Sequence, residues 1–436
     1  MILNIFIKNY RSFKEEVSFS MVAESSKSKE ENVFSYPLCD GKDEIRLLNS
    51  SMIYGANASG KSNLLKALFE ITSYIVRSKP NAGQPIPAYD PFQFDTNTSK
   101  APTEFNLEFI GKDTIKYKYE LVFDNKNIIS EQLTYWPNKK PVNLFSRVIP
   151  ENQQAIIHSG KLGPVFKTPK PIDVFHNQAF LSRFGQDTPN DILSEVYIYF
   201  SNIKILNAFN TIQSLSLQNE ISELVLRNPT LLIKINALLK IADTGLNRIN
   251  VQENAHFISD SNLSASIKDL LNKNLRYTLS GMHSLYNKTK LLNEEEPLSF
   301  SEESNGTKAI FSLGGKILET IEKGATIFVD ELETSLHPFL SKLLVSLFQS
   351  KKINKNNAQI IFTTHDTNLL DKFLFRKDQI WFAEKNEYGS STLYSLQDFS
   401  EVREDTPFDK WYLAGKFGGV PDLESLELLY TIDENC

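Results

Sequence analysis

The stretch Gly55-Ala56-Asn57-Ala58-Ser59-Gly60-Lys61-Ser62 carries the densest chemistry in the chain. It fills every constrained position of the phosphate-loop pattern G-x-x-x-x-G-K-[ST]. Backbone N–H groups of such a loop, with the start of the helix behind it, can wrap phosphate oxygens where the helix dipole is positive. Gly55 and Gly60 let the backbone turn and come close to a ligand. Lys61 would reach the β- and γ-phosphates, and Ser62 would ligate Mg²⁺. Asn63 opens the helix that follows. A chance glycine turn has the same letters, so the flanks matter. Leu47–Tyr54 reads as a buried strand, and Asn63–Ile71 has apolar residues at helical spacing. Strand, loop and helix are the context the pattern requires.

Two further strand ends carry chemistry. Ala325–Asp330 is a β-branched and apolar run that ends in Asp330-Glu331. In a parallel sheet, ligands gather at the carboxyl ends of strands. There Asp330 would hold Mg²⁺, and Glu331 could orient and deprotonate an attacking water. Read alone, the same letters describe a solvated acidic turn. Gln359–Thr364 is a second buried run, and it ends at His365. A neutral imidazole there could accept a proton or donate to a γ-phosphate. Between these pieces, Ser304-Asn305-Gly306-Thr307 precedes an apolar helix. That is a second anion-binding helix start, or an ordinary cap.

The chain that must position these groups has 436 residues, enough for two or three lobes. It is 41% hydrophobic and 23% charged, with a net charge of −6. Whole-chain charge therefore gives no nucleic-acid signature, although a local basic groove stays open. Cys39 and Cys436 form no C-x-x-C pair, so neither a disulfide frame nor a zinc site is indicated. No secretory signal and no apolar run of about 20 residues is visible. A cytoplasmic location with no membrane partner is expected.

Residues 2–7 and 16–21 read as strands, and 24–32 as a mobile polar loop. Residues 78–103 contain five prolines and read as irregular connection. Alternation over 104–109, 116–123 and 128–135 predicts an antiparallel meander. Helical periods appear near 191–207, 229–242 and 264–274, with a short strand at 248–251. Residues 293–297 read as a polar break. The final third alternates strand and helix, which predicts a parallel sheet. The expected fold class is α/β: a mostly parallel sheet, an antiparallel β lobe and a helical insertion. The head would be built from 1–180 and 296–436, with a mainly helical insertion at 187–292.

These pieces, in this order, resemble the ATP-binding-cassette class of ATPases, in the branch of the RecF, SMC and OLD proteins. Gly55–Ser62 matches Walker A, Ser304–Thr307 the signature, Asp330-Glu331 Walker B, Leu332–Pro338 the D-loop and Thr364-His365 the switch. Ile5–Phe13 resembles the group's opening strand. More narrowly, Glu303–Thr307, Asp330–Pro338, Thr363–Asp366, Arg376–Phe382 and Tyr412–Pro421 resemble the AAA15 family of RloA- or AbiL-like ATPases. The resemblance implies ATP and Mg²⁺ as cofactors, and a homodimer or higher homo-oligomer that traps ATP between one copy's Walker A and the other's Ser304 and Gly306. It implies Gln93 as a lid glutamine near the metal, though Gln93 also suits a plain turn. The signature is not L-S-G-G-Q. No Toprim nuclease domain is expected after His365. A separate effector is therefore implied: a Toprim-like or RloB-like nuclease or another toxin, controlled in antiphage defence. A RecF-like ATPase that binds DNA in repair or recombination is the competing expectation.

Overall fold

A computed structural model describes residues 1–38, 43–78, 83–148, 156–158, 174–187, 190–207, 211–254, 276–288, 290–403 and 405–421. The expected helix at 264–274 and both cysteines lie outside these residues.

The fold is mixed α/β. A six-stranded sheet runs in the order Ile205–Asn207, Thr326–Asp330, Gln359–Thr363, Ser50–Tyr54, Ile380–Lys385, Ser391–Ser395. Its first five strands are parallel, and Ser391–Ser395 closes the edge antiparallel. Ser50–Tyr54 and Gln359–Thr363 are buried along their whole length. A central parallel strand is covered on both faces, so a continuous apolar run suits it better than alternation. The final third thus folds as its alternation predicts.

A seven-stranded antiparallel sheet forms the second layer. It joins Ile2–Lys8 and Val17–Ser20 to the meander Thr103–Ile110, Lys116–Phe123, Ile128–Trp136 and Val142–Val148, with Ile156–His158 at the far edge. The phosphate-loop helix, Lys61–Arg77, lies in the core between the two sheets. Leu64, Leu68, Ile71 and Ile75 recur at helical spacing and are fully buried there, against residues such as Phe105, Tyr119 and Leu121. On the opposite face, helices Gly315–Lys323 and Pro338–Gln349 share a second core with Pro229–Ile241.

Several expectations are corrected. The run Leu47–Tyr54 is two strands that part at Asn49. Glu44–Leu48 pairs with Val33–Pro37 in a separate hairpin, and only Ser50–Tyr54 enters the parallel sheet. Residues 24–32 are not a free loop. Arg376, buried beside Asp378, donates to the carbonyls of Glu24, Ser26 and Ser28 and holds the segment down. The period over 191–207 divides into helix Asp191–Ser201 and strand Ile205–Asn207. Helix Thr211–Arg227 was not foreseen. Residues 293–297 are no break: they lie inside strand Lys290–Ser299 of a three-stranded antiparallel sheet with Arg248–Glu253 and Tyr277–Asn287. Glutamates tolerate that strand because its described side chains stay largely in solvent. Among its described residues, the segment 187–292 therefore carries strand as well as helix. Among the described residues, no helix is long and apolar enough to cross a membrane.

Candidate active site

Ser50–Tyr54 ends at Gly55, which has φ 154; a Cβ there would stand 2.3 Å from the Ala383 carbonyl oxygen. Gly60 has φ 107, and its Cβ would meet Ser391 Oγ at 2.6 Å and Ser12 Oγ at 2.8 Å. Only glycine fits both backbone and space here. Ala58 also adopts positive φ, 61°. Asn57 and Ala58 are exposed, Ala56 is half-buried, and Ser59 is buried with its hydroxyl unpartnered. Asn63 steadies the helix start from outside, its amide donating to Ser12 Oγ at 2.8 Å.

Lys61 is buried, and its ammonium donates to the carbonyls of Gly55 at 2.9 Å and Ala56 at 2.8 Å. Burial pushes it down to about 8, against the pull of Glu331, Asp330 and Glu333. A desolvated cation folded back over a glycine loop, beside an unpartnered serine hydroxyl, fits a phosphate group.

The strand tips meet as expected. Ser62 Oγ donates to Asp330 Oδ1 at 2.8 Å. Thr363 Oγ1 donates to the same oxygen at 2.7 Å and accepts the Glu331 N–H at 2.8 Å. Glu331 leaves the strand with φ 55, and its Oε1 lies 3.9 Å from His365 Nε2. Burial first, then Asp330 and Glu333, raise the Glu331 carboxyl above its ordinary range. Burial and then Lys61 lower the His365 imidazole, which favours its neutral form. A carboxyl of raised proton affinity beside an imidazole biased toward its neutral form is an arrangement suited to proton transfer. The hydroxyl of Ser62 and the carboxylate of Asp330 are hard oxygen donors of the kind Mg²⁺ prefers. Among the described residues, no group of three or more His, Cys, Asp or Glu could hold a metal by itself.

Other candidates stand apart. Ser304 caps helix Asn305–Ala309, accepting the Thr307 N–H at 3.1 Å, and is exposed. Gly306 approaches the D-loop, where a Cβ would be 3.3 Å from the Ser335 carbonyl oxygen. Among the described residues, no hydrogen bond or ion pair joins Ser304 or Gly306 to residues 55–63. Gln93 is exposed and its amide donates to Pro91 O at 3.0 Å. The structure thus shows the turn contact and no bond from Gln93 to Ser62 or Asp330. His337 acts as a helix start, its Nδ1 accepting from the Phe339 N–H at 3.3 Å.

Sequence reasoning missed Thr363, Ser12, Ser391 and Glu333. Thr363 precedes Thr364-His365 and could have been read as a strand-end hydroxyl facing Asp330. Ser12 and Ser391 come from distant segments and carry no local signal.

Residues 50–155 and 173–371 match the family described as "AAA domain, putative AbiEii toxin, Type IV TA system". An "ATP/GTP phosphatase" of Helicobacter pylori is 24% identical over 335 residues, covering 75% of this chain and 83% of the relative. Among solved structures, the SMC head domain from Thermotoga maritima overlays with a TM-score of 0.39 at 13% identity, over 90% of this chain and 98% of that one. The recombination mediator RecF gives 0.36 at 12% identity, over 90% and 98%. With a phosphate-loop pattern, an acidic strand end and a histidine meeting at adjoining strand tips, and a family model spanning most of its length, the chain is an ATPase that belongs to this AAA-domain family.

Proposed function

We propose that the chain is an ABC-type ATPase head, close to the AAA15, RloA- or AbiL-like group, that closes on ATP as a homodimer and thereby regulates a separate effector. One observation carries the reading: the hydrogen-bonded ladder from Ser62 through Asp330 and Thr363 to Glu331, with His365 at its end. The loop N–H groups of 55–62 and the Lys61 charge hold the triphosphate. Ser62 and Asp330 hold Mg²⁺, which neutralises charge on the phosphate oxygens. Glu331 takes the proton of the attacking water. His365 lies within reach of Glu331 and steadies the charge that develops.

Among the described residues, no second anion-binding helix start is bonded to the outer side of the phosphate loop. A second copy could supply Ser304 and Gly306, and isologous pairing is the usual way to do so. The division into 1–180, 187–292 and 296–436 is part of this proposal, with the middle segment carrying sheet as well as helix. An effector of toxin or nuclease type, and a role in antiphage defence, fit the family's toxin–antitoxin description. A cytoplasmic site of action fits the same reading.

Glu331→Gln should bind ATP, lose hydrolysis by about 100-fold or more, and accumulate as an ATP-dependent dimer in light scattering. Lys61→Ala should lose nucleotide binding. Normal hydrolysis by Lys61→Ala would overturn the site assignment. If Glu331→Gln instead gains a tight, salt-sensitive affinity for duplex DNA and retains no second protein, the RecF-like alternative replaces the effector.

A further inference from the structure

Glu333 makes a contact that neither phosphate binding nor core packing calls for. Its Oε1 accepts the backbone N–H of His365 at 2.5 Å. Its Oε2 is buried without a partner. The turn that carries it is stiff. Glu331 and Ser335 both sit at positive φ, 55° and 63°, and the Thr334 and Leu336 N–H groups donate back to Glu331 O and Glu333 O. One end is fastened to the switch strand, where the Leu332 N–H donates to Thr363 O at 3.1 Å. The other end, at Ser335, lies against Gly306 of the helix that Ser304 opens.

We propose that Glu333 is a positioning residue for hydrolysis: its carboxylate tethers the switch backbone at His365 to the turn 331–336, so the place of the imidazole follows the helix opened by Ser304. The argument is mechanical. An N–H held by a carboxylate is among the stronger hydrogen bonds available to a loop. A turn fixed by left-handed residues and internal bonds moves as a unit. Pressure on the Ser304 helix is therefore carried through Ser335 to Glu333, and through one bond to His365. His365 already lies 3.9 Å from Glu331, and shifts of about 1 Å in such a group change rates by about 100-fold. Loop, strand and helix form a contiguous physical path, which is the form of coupling that can be tested directly.

The proposal rests on the ATPase reading above, and its test separates the two. Glu333→Ala should bind a fluorescent ATP analogue within about twofold of the unaltered protein, yet lose at least about tenfold in kcat. Glu333→Gln keeps an oxygen that can accept the His365 N–H and should recover most of the rate. Hydrogen exchange should show the His365 amide protected in the unaltered chain and in Glu333→Gln, and exposed in Glu333→Ala, while the Thr364 amide, bonded to Ile53 O, stays protected in all three. A merely structural role would lower the melting temperature without this selective exchange or the rescue. Wild-type turnover by Glu333→Ala, or equal losses in both variants, would overturn the tether. If the unaltered protein itself releases no phosphate from ATP, the ATPase reading fails, whatever the Glu333 variants do.

Discussion

Lys61 keeps its charge in surroundings that oppose it. Burial lowers it to about 8, against the pull of Glu331, Asp330 and Glu333. A bound polyphosphate would place negative charge beside the ammonium and raise its pKa again. The sign of the linkage follows. The nucleotide-free protein has the lower pKa, so binding takes up a proton at pH values above about 8, where the empty site is partly neutral. Below that range Lys61 is charged in both states and contributes no uptake. ATP affinity should therefore weaken as pH rises past 8, and titration calorimetry at pH 9 in buffers of different ionisation heat should detect proton uptake. Equal heats after buffer correction at pH 7 and pH 9 would remove this account of Lys61. Glu331 is displaced the other way, its carboxyl raised by burial and by Asp330. In the proposed role of proton acceptor it must be ionised, so turnover should fail on the acid side sooner than with an unperturbed glutamate.

Elements that depend on near neighbours in the chain were legible, and those fastened by distant ones were not. The strand, loop and helix around Gly55–Ser62 are set by spacing within a short window, and all three are present. The walls of the loop are another matter. Ser12 comes from the turn after the opening strand, and Ser391 from the antiparallel edge strand. No local pattern marks either serine. The clasp of Arg376 on Glu24, Ser26 and Ser28 is equally remote, and it turns a polar stretch from loop into ordered structure. In the same way, glutamates at 294–296 read as a break because half-buried strands alternate, whereas this strand is exposed. The packing of the loop walls can be weighed by substitution. Gly60→Ala combines backbone strain at φ 107 with contacts of 2.6 and 2.8 Å. Gly245→Ala faces φ 75 with nothing within 4 Å of its Cβ. Both should lose about 1 kcal/mol from strain, and Gly60→Ala about 1–3 kcal/mol more, with loss of nucleotide binding. Chemical denaturation compares the two, and equal losses would mean that Ser12 and Ser391 give way freely.

At the scale of the whole molecule, segments far apart in the sequence build one six-stranded sheet. The opening strand is fastened to the switch strand: the Ile2 N–H donates to Gln359 Oε1 at 2.9 Å, and the same side chain donates to Leu48 O at 3.1 Å. The chain presents a phosphate loop at one place and, with no bond between them among the described residues, an exposed serine-capped helix start at another. If each is half of a site completed by a second copy, defects in the two halves must complement. Lys61→Ala spoils the loop and leaves Ser304 intact. Ser304→Asp spoils the capping side by charge, while aspartate remains a good N-cap, so the helix is kept. Each variant alone builds only defective sites. In an equal mixture about half of the dimers pair one of each, and each such dimer holds one site with an intact loop and an intact serine. With independent sites and random exchange, the mixture should recover about a quarter of the unaltered rate. A chain that completes its site alone would give no recovery at any mixing ratio. Phosphate-release rates across a titration of one variant into the other decide between these, because recovery through mixed dimers must peak near equal amounts.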